Sequence, residues 1–361
     1  MPEIHAARRA RAQEQVRALG ADAALITSAP NVRYLSGLAS SNAAVLLPAD
    51  APGVLATDSR YAEAARRDCG DLELVTERMV EPALAELAGA AGAATLAFEA
   101  QEMTVERFVA LEALEGAPRL LPLGRMVENL RMVKDEGEIE LLRQACAISS
   151  AAFGVVLGEV RPGRTEREVA IAVERAMIDR GADGLAFDTI VASGPNGAIP
   201  HHVPGQRRLE AGDLVTIDFG AQVGGYHADM TRTVALGQVD DWQREIYDLV
   251  AAAQAAGVAA ATVGADVGDV DAAARDLIEA AGYGGFFQHG LGHGVGLEVH
   301  EAPIMGYHRT GTLVDRVPVT VEPGVYLPGR GGVRIEDTLI VRAGAGAAEI
   351  LTLTTKELLV L

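Results

Sequence analysis

Along the first third of the chain, short apolar runs alternate with charge-studded segments of helical rhythm. Residues 5–19 are rich in Ala, Arg and Glu and read as a helix, and 23–27 is an apolar run of strand length. That run ends at Ser28-Ala29-Pro30-Asn31, a loop signal. Residues 43–47 and 54–57 flank Pro48 and Gly53, as strands around a turn would. The pattern predicts further helices over 60–69, 81–88 and 105–114, and strands over 72–76 and 95–98. Such alternation predicts an α/β domain over 1–129. It contains no phosphate-cradling glycine loop and no nucleophile motif.

The pattern changes after Leu130. The charged segment Arg131-Met132-Val133-Lys134-Asp135-Glu136-Gly137-Glu138 leads into a long helix over 138–158, so a second domain is expected over 130–361. Inside it the chain repeats itself. Pro162-Gly163-Arg164-Thr165 opens a helix that stops at Gly181, and Val263-Gly264-Ala265-Asp266 opens another that stops at Gly282. At one fixed offset Gly163, Val169, Ala172, Gly181 and Gly184 meet Gly264, Val270, Ala273, Gly282 and Gly285. Thr165 with Glu168 makes a capping box, and Asp266 with Asp269 is its near-equivalent. A strand-rich stretch follows each helix. The alternative is chance likeness of two amphipathic helices; the preferred reading is a duplicated helix-helix-strand-strand unit with a pseudo-twofold axis, an α+β domain.

Composition narrows the function classes. In 361 residues, 49% are hydrophobic, enough for a large core, and 50 acidic residues outweigh 31 basic ones for a formal charge of −19. That balance argues against a nucleic-acid or anionic-membrane partner, since both need a positive surface. Plain solubility accounts for such acidity, and so does a gathering of carboxylates around cations. The two cysteines, Cys69 and Cys146, could form one bridge but no disulfide framework. The N-terminus lacks a charged start followed by an apolar run, and no uncharged apolar stretch is long enough to span a bilayer. The alanine-rich stretch 250–261 is short, and alanine favours helix. A soluble, cytoplasmic protein is expected.

The candidate chemistry lies in acids that interrupt apolar strands. Asp218 stands inside Leu214-Val215-Thr216-Ile217-Asp218-Phe219-Gly220. A carboxylate there is costly unless paired, protonated or bound to a cation. The run turns near Val223-Gly224-Gly225; a two-residue turn at Val223-Gly224 would set Asp218 directly opposite Asp229, and a turn shifted by one residue still leaves them close. In the second unit, pairing about Gly329 would set Glu322 opposite Glu336. Two like charges facing each other repel, and a divalent cation between them removes the problem. The glycine-dense His289-Gly290-Leu291-Gly292-His293-Gly294-Val295-Gly296 can supply one nitrogen ligand from a histidine. Two Asp, two Glu and one His call for two divalent cations, with Mn, Co, Fe or Zn suited to an oxygen-rich set with one imidazole. Two such ions would lower the pKa of a shared water. Each residue also has a plainer account: Asp218 paired with an arginine, Asp229 and Glu322 solvated or capping, Glu336 paired with Arg334, His293 structural. Five of them on matching hairpins favour the metal reading.

Amide hydrolysis also needs help for the charged intermediate and a proton for the leaving amine. His201 and His202 lie between Pro200 and Pro204, 17 residues before Asp218, and His300 lies seven after His293. Either an exposed loop histidine or a cap would be the plainer account of each.

Taken in order, Ile217-Asp218-Phe219-Gly220, Asp229-Met230-Thr231-Arg232-Thr233, 289–296, Val321-Glu322-Pro323-Gly324 and Arg334-Ile335-Glu336-Asp337 resemble the pita-bread metallopeptidases: aminopeptidase P, prolidase and methionine aminopeptidase. The resemblance covers the whole chain. It implies that Asp218 is a metal ligand, that Asp229 and Glu336 bridge both metals, and that His293 and Glu322 complete the pair, with manganese the expected metal and cobalt or zinc as alternatives. His201 matches the family's first catalytic histidine, ahead of His202, and His300 the second. His289 matches a histidine beside the substrate's second residue. Tyr326 and Arg334 match groups that orient ligands or intermediate. The additional first domain points to the proline-specific branch, which typically forms homodimers in which that domain shapes a neighbour's site. Creatinase shares both domains but lacks the ligands. The main expectation is an Xaa-Pro aminopeptidase acting on peptides with proline second. Prolidase, restricted to Xaa-Pro dipeptides, is the alternative, and a non-catalytic peptide-binding module or a creatinase-like hydrolase would be of another class. A dipeptidase needs a cation near the substrate's carboxylate, for which His308-Arg309 is a candidate beside the plainer account of an exposed arginine.

Overall fold

The computed structural model describes residues 2–344 and 346–361, in two compact units, one up to Arg131 and one from Met132. In the first unit a six-stranded mixed sheet runs Glu73–Thr76, Val54–Thr57, Ala43–Pro48, Ala23–Ile26, Thr95–Phe98, Arg119–Pro122. Its central strand, Ala23–Ile26, is buried at every position, as a near-continuous apolar run requires when both faces are covered. The expected loop at Ser28-Ala29-Pro30-Asn31 is instead the start of a helix, Ala29–Ser36. Proline fits the first helical turn, where its missing N–H has no partner to lose. Strand Arg119–Pro122 and helix Met126–Met132 were not anticipated: each is too short to display a period.

The second unit is built from two matching halves. The long helix Glu136–Val156 begins at a capping box of Asp135 and Glu138, and Glu166–Ile178 at one of Thr165 and Glu168. In the second half, Asp241–Ala260 is capped by Asp240 with Gln243, and Val267–Ala280 by Asp266, which accepts from the Gly268 N–H. Gly163 and Gly264 share a φ of +90°, and each donates from N–H to a later loop carbonyl at 2.8 Å, on Leu209 and Leu313. The repeat read from the sequence is thus present in the backbone. The first half contributes the sheet Met230–Ala235, Leu214–Phe219, Ile190–Ser193. The second contributes Glu301–Met305, Gly292–Gly294, Pro318–Val321, Asp337–Ile340, Glu349–Ile350. Each half has its own apolar core.

The halves are laced together at strand Met230–Ala235. Glu336 N–H donates to the Thr231 carbonyl at 3.1 Å, and the Thr338 hydroxyl to the Asp229 carbonyl at 2.8 Å. The buried Arg232 guanidinium binds the Glu336 carbonyl at 2.5 Å and the Asp337 carboxylate at 2.7 Å. Cys69 and Cys146 are buried free thiols in different units, so the bridge that two cysteines allow is not formed. Among the described residues one helix, Glu136–Glu159, is long and apolar enough to cross a membrane by length and composition alone; 39% of its apolar window is buried inside the protein.

Candidate metal centre and active site

Turn chemistry sets the register of the first acidic hairpin. Val223 pairs with Tyr226, so the turn residues are Gly224 and Gly225, with φ of +58° and +85°. A two-residue hairpin turn of this kind favours left-handed backbone at both central positions, and glycine supplies it at least cost. Asp218 therefore faces Thr231, not Asp229 as direct opposition would require. The displacement amounts to two residues along the ladder, which keeps Asp229 on the same face, diagonal to Asp218. In the second hairpin Val321 pairs with Asp337 and Gly324 with Arg334 in one continuous register. Glu322 and Glu336 lie across from each other in the gap between these two ladders, as pairing about Gly329 predicts.

The pseudo-axis brings the two hairpins together. His293 Nε2 lies 3.6 Å from Asp229 Oδ2 and 3.3 Å from Glu322 Oε1. Ligand atoms of Asp229, His293 and Glu336 all fall within 4.8 Å of one another. His293 Nδ1 donates to the Gly294 carbonyl at 3.0 Å, which leaves Nε2 as the unprotonated nitrogen facing the acids. Asp218 Oδ2 accepts from Arg334 Nη2 at 2.7 Å, while its Oδ1 is buried with no hydrogen-bond partner among the described residues. Thr231 Oγ1 donates to Glu336 Oε2 at 2.7 Å, and Thr320 Oγ1 to Glu322 Oε1 at 3.3 Å.

Burial first, then mutual repulsion, lifts the Asp229 and Glu336 carboxyls well above the usual range. Burial likewise takes Glu322 up to about 8 and His293 down to about 4. Four carboxylates and one guanidinium cannot all hold their charges in such a place without further positive charge. The orphaned Asp218 oxygen and the unprotonated His293 nitrogen both lie where a cation would be held. The donor set, oxygen-rich with one imidazole, fits divalent metal ions of the borderline-hard class.

A cavity of about 840 Å³ opens onto this cluster and is lined by Asp218, Asp229, His293, Glu322, Arg334 and Glu336 together with His201, His289 and His300. The His293 and His300 rings are 4.3 Å apart between centroids. Burial and the neighbouring His201 hold the His300 imidazole below its ordinary pKa. His289 Nδ1 donates to the Gly290 carbonyl, so its Nε2 accepts from the Tyr326 hydroxyl at 2.8 Å. That hydroxyl accepts in turn from Arg334 Nη1 at 2.9 Å. Burial pushes Tyr326 up to about 12 and His289 down to about 4, which keeps both neutral. His202 is not on the cavity wall; its Nε2 pairs with the buried Glu166 carboxylate at 2.8 Å. Sequence reasoning passed over Thr231 and Thr320, which bond the acids, and Phe187 and Asp188, which line the cavity. Nothing distinguishes such a threonine from any strand threonine. A second cavity of about 350 Å³ shares His289, Gly290, Gln288 and Ile304 with the first and includes Arg309 but not His308.

Known proteins resemble the chain along its length. Residues 140–343 match the model of metallopeptidase family M24, and residues 8–133 that of the creatinase/prolidase N-terminal domain. An uncharacterized peptidase, YqhT, from Bacillus subtilis is 40% identical over 95% of this chain and 97% of its own length. The solved Xaa-Pro dipeptidase from Bacillus anthracis superposes with a TM-score of 0.94 at 37% identity, covering 99% of this chain and all of that one. The X-Pro aminopeptidase structure from Thermotoga maritima does so at 0.88 and 36% identity, covering 96% of this chain and all of that one. Dipeptidase and prolidase names are more frequent among such relatives than aminopeptidase names. With its buried acid-and-imidazole cluster set on paired hairpins of a duplicated fold, the chain belongs to metallopeptidase family M24 and carries the creatinase/prolidase N-terminal domain ahead of it.

Proposed function

We propose that the protein is an Xaa-Pro dipeptidase, a prolidase, rather than the Xaa-Pro aminopeptidase that the sequence suggests first. The observation that carries this is Arg309. It stands on a cavity that shares four residues with the one over the acidic cluster, and it has no carboxylate partner among the described residues. A dipeptide brings a free carboxylate within a few bonds of the scissile amide, and the exposed Arg309 guanidinium would bind that carboxylate as a charge-assisted pair where the substrate extends into the second cavity. The dipeptidase names of the relatives support the same choice.

In this reading Asp218, Asp229, His293, Glu322 and Glu336 would hold two divalent cations, with manganese the first to test. Bound there, the ions would polarise the substrate carbonyl and lower the pKa of a water between them. Arg334 holds Asp218 in place and, through Tyr326, fixes the orientation of His289. His201 and His300 face the cavity from two different loops. One would donate to the oxygen that gains charge, and the other would give a proton to the leaving imino nitrogen. His289 would flank the proline ring. The family resemblance adds a homodimer to the proposal.

The test compares hydrolysis of an Xaa-Pro dipeptide, its C-terminal amide and an Xaa-Pro-containing tripeptide, each with added Mn, Co or Zn. The dipeptide should be cleaved far faster than the other two, and Arg309→Ala should raise its KM about tenfold or more without a matching fall in kcat. Equal cleavage of the tripeptide would restore the aminopeptidase assignment.

A further inference from the structure

Glu166 stands in the first turn of helix Glu166–Ile178, and its side chain is wholly buried. Its Oε1 accepts from Ser193 N–H at 2.9 Å, Ser193 Oγ at 2.8 Å and Asn196 Nδ2 at 2.9 Å. Its Oε2 accepts from Gly205 N–H at 3.2 Å and pairs with His202 Nε2 at 2.8 Å. All five contacts fall on residues 193–205, the segment that carries His201. The other flank of His201 is tied as well: Arg334 Nη1 reaches the Pro200 carbonyl at 3.4 Å, while Nη2 of the same guanidinium holds Asp218. Near Gly197 the segment lies so close to the second hairpin that an added Cβ would stand 3.1 Å from the Gly332 nitrogen. His201 is thus the one link between two anchored neighbours.

The internal repeat supplies a control. The position matching Glu166 at the start of the second repeat's helix is Val267, and that helix is preceded by a matching glycine, Gly264, with a matching bond to a loop carbonyl. A buried acid at this position is therefore particular to the half that carries His201. A buried carboxylate is costly unless fully hydrogen-bonded, and here it is spent on the one loop that presents His201.

We propose that Glu166 is a positioning residue for the reaction, acting through His202 and the Ser193–Gly205 backbone to fix His201 over the acidic cluster. The inference rests on His201 acting on the substrate, as proposed above. Small misplacements of a reacting group cost on the order of 100-fold in rate. Glu166→Gln should therefore lower kcat about ten- to a hundredfold, leave KM within about twofold, and leave bound metal unchanged.

The deciding experiment is a double-mutant cycle in the full chain with added Mn, measured as kcat, KM and metal content. In a His201→Ala background Glu166→Gln should cost less than about twofold, because the group it positions is already gone. A wild-type rate in His201→Ala alone would remove the His201 role and the inference with it. A slow His201→Ala enzyme with the full Glu166→Gln loss in both backgrounds, or with loss of metal, would overturn the inference and leave His201 standing. Should Glu166→Gln fail to fold, His202→Asn replaces it in the same cycle, with the same outcomes.

Discussion

Asp218 shows at the scale of one side chain why the cluster needs cations. One of its oxygens is satisfied by Arg334 and the other by nothing among the described residues, in a site where a lone polar atom costs about 1–3 kcal/mol. Asp229 has the same difficulty from neighbours of like charge. Asp229→Asn should reduce peptidase activity to background and lower bound metal. In EDTA the same variant should be more stable than metal-free wild type, by about 1–2 kcal/mol, because a carboxyl whose pKa burial and like charges raise is costly to keep there at neutral pH. A lower melting point would mean that Asp229 stabilises the metal-free fold and is no costly ligand. Asp218 stood out because it breaks an apolar run, and Asp229, Glu322 and Glu336 because hairpin pairing sets them near it or near each other. Glu166 did not, since an acid in a first helical turn reads as an ordinary favourable charge.

The elements were legible where their period is long or their punctuation strong. Helix Glu166–Ile178 has its capping box and its terminal glycine, and forms nearly where they place it. The turn of the first hairpin falls one position after Val223-Gly224, the shift the sequence also allowed, because the Gly224-Gly225 pair makes left-handed backbone cheapest at both central positions. Loops are harder to read, and the one bearing His300 depends on a partner far away in sequence. Glu301, next to it, is buried with Lys134 at 2.8 Å, and both side chains are almost fully enclosed. Removing the lysine takes its ammonium from a buried carboxylate, so Lys134→Met should destabilise the protein by about 3–5 kcal/mol in denaturant melts. A cost under 1 kcal/mol would show that the pair is dispensable to the fold.

Across the whole molecule, the duplication explains how acids more than a hundred residues apart meet. The offset between the two capped helices was visible in the sequence; the lacing of Glu336 and Thr338 onto the stretch 229–235 was not, because Glu336 uses its backbone N–H and Thr338 a hydroxyl like that of any strand threonine. Ions that bind only the assembled centre should stabilise the native state, by about 2.7 kcal/mol when the metal stands at 100 times its Kd. Added Mn should raise the melting temperature of EDTA-stripped protein, and Asp229→Asn should lose that rise. No shift with Mn, Co or Zn would argue that the acids hold no ion.

The lacing of the two halves has one more consequence. A chain divided between Ala235 and Asp241 would leave Asp218 and Asp229 on one fragment, and His293, Glu322 and Glu336 on the other. Neither piece could hold the cations by itself, yet the exposed strand edge would still match its missing counterpart. Peptide cleavage would return only when the pieces found each other, so catalysis would serve as a readout of reassociation.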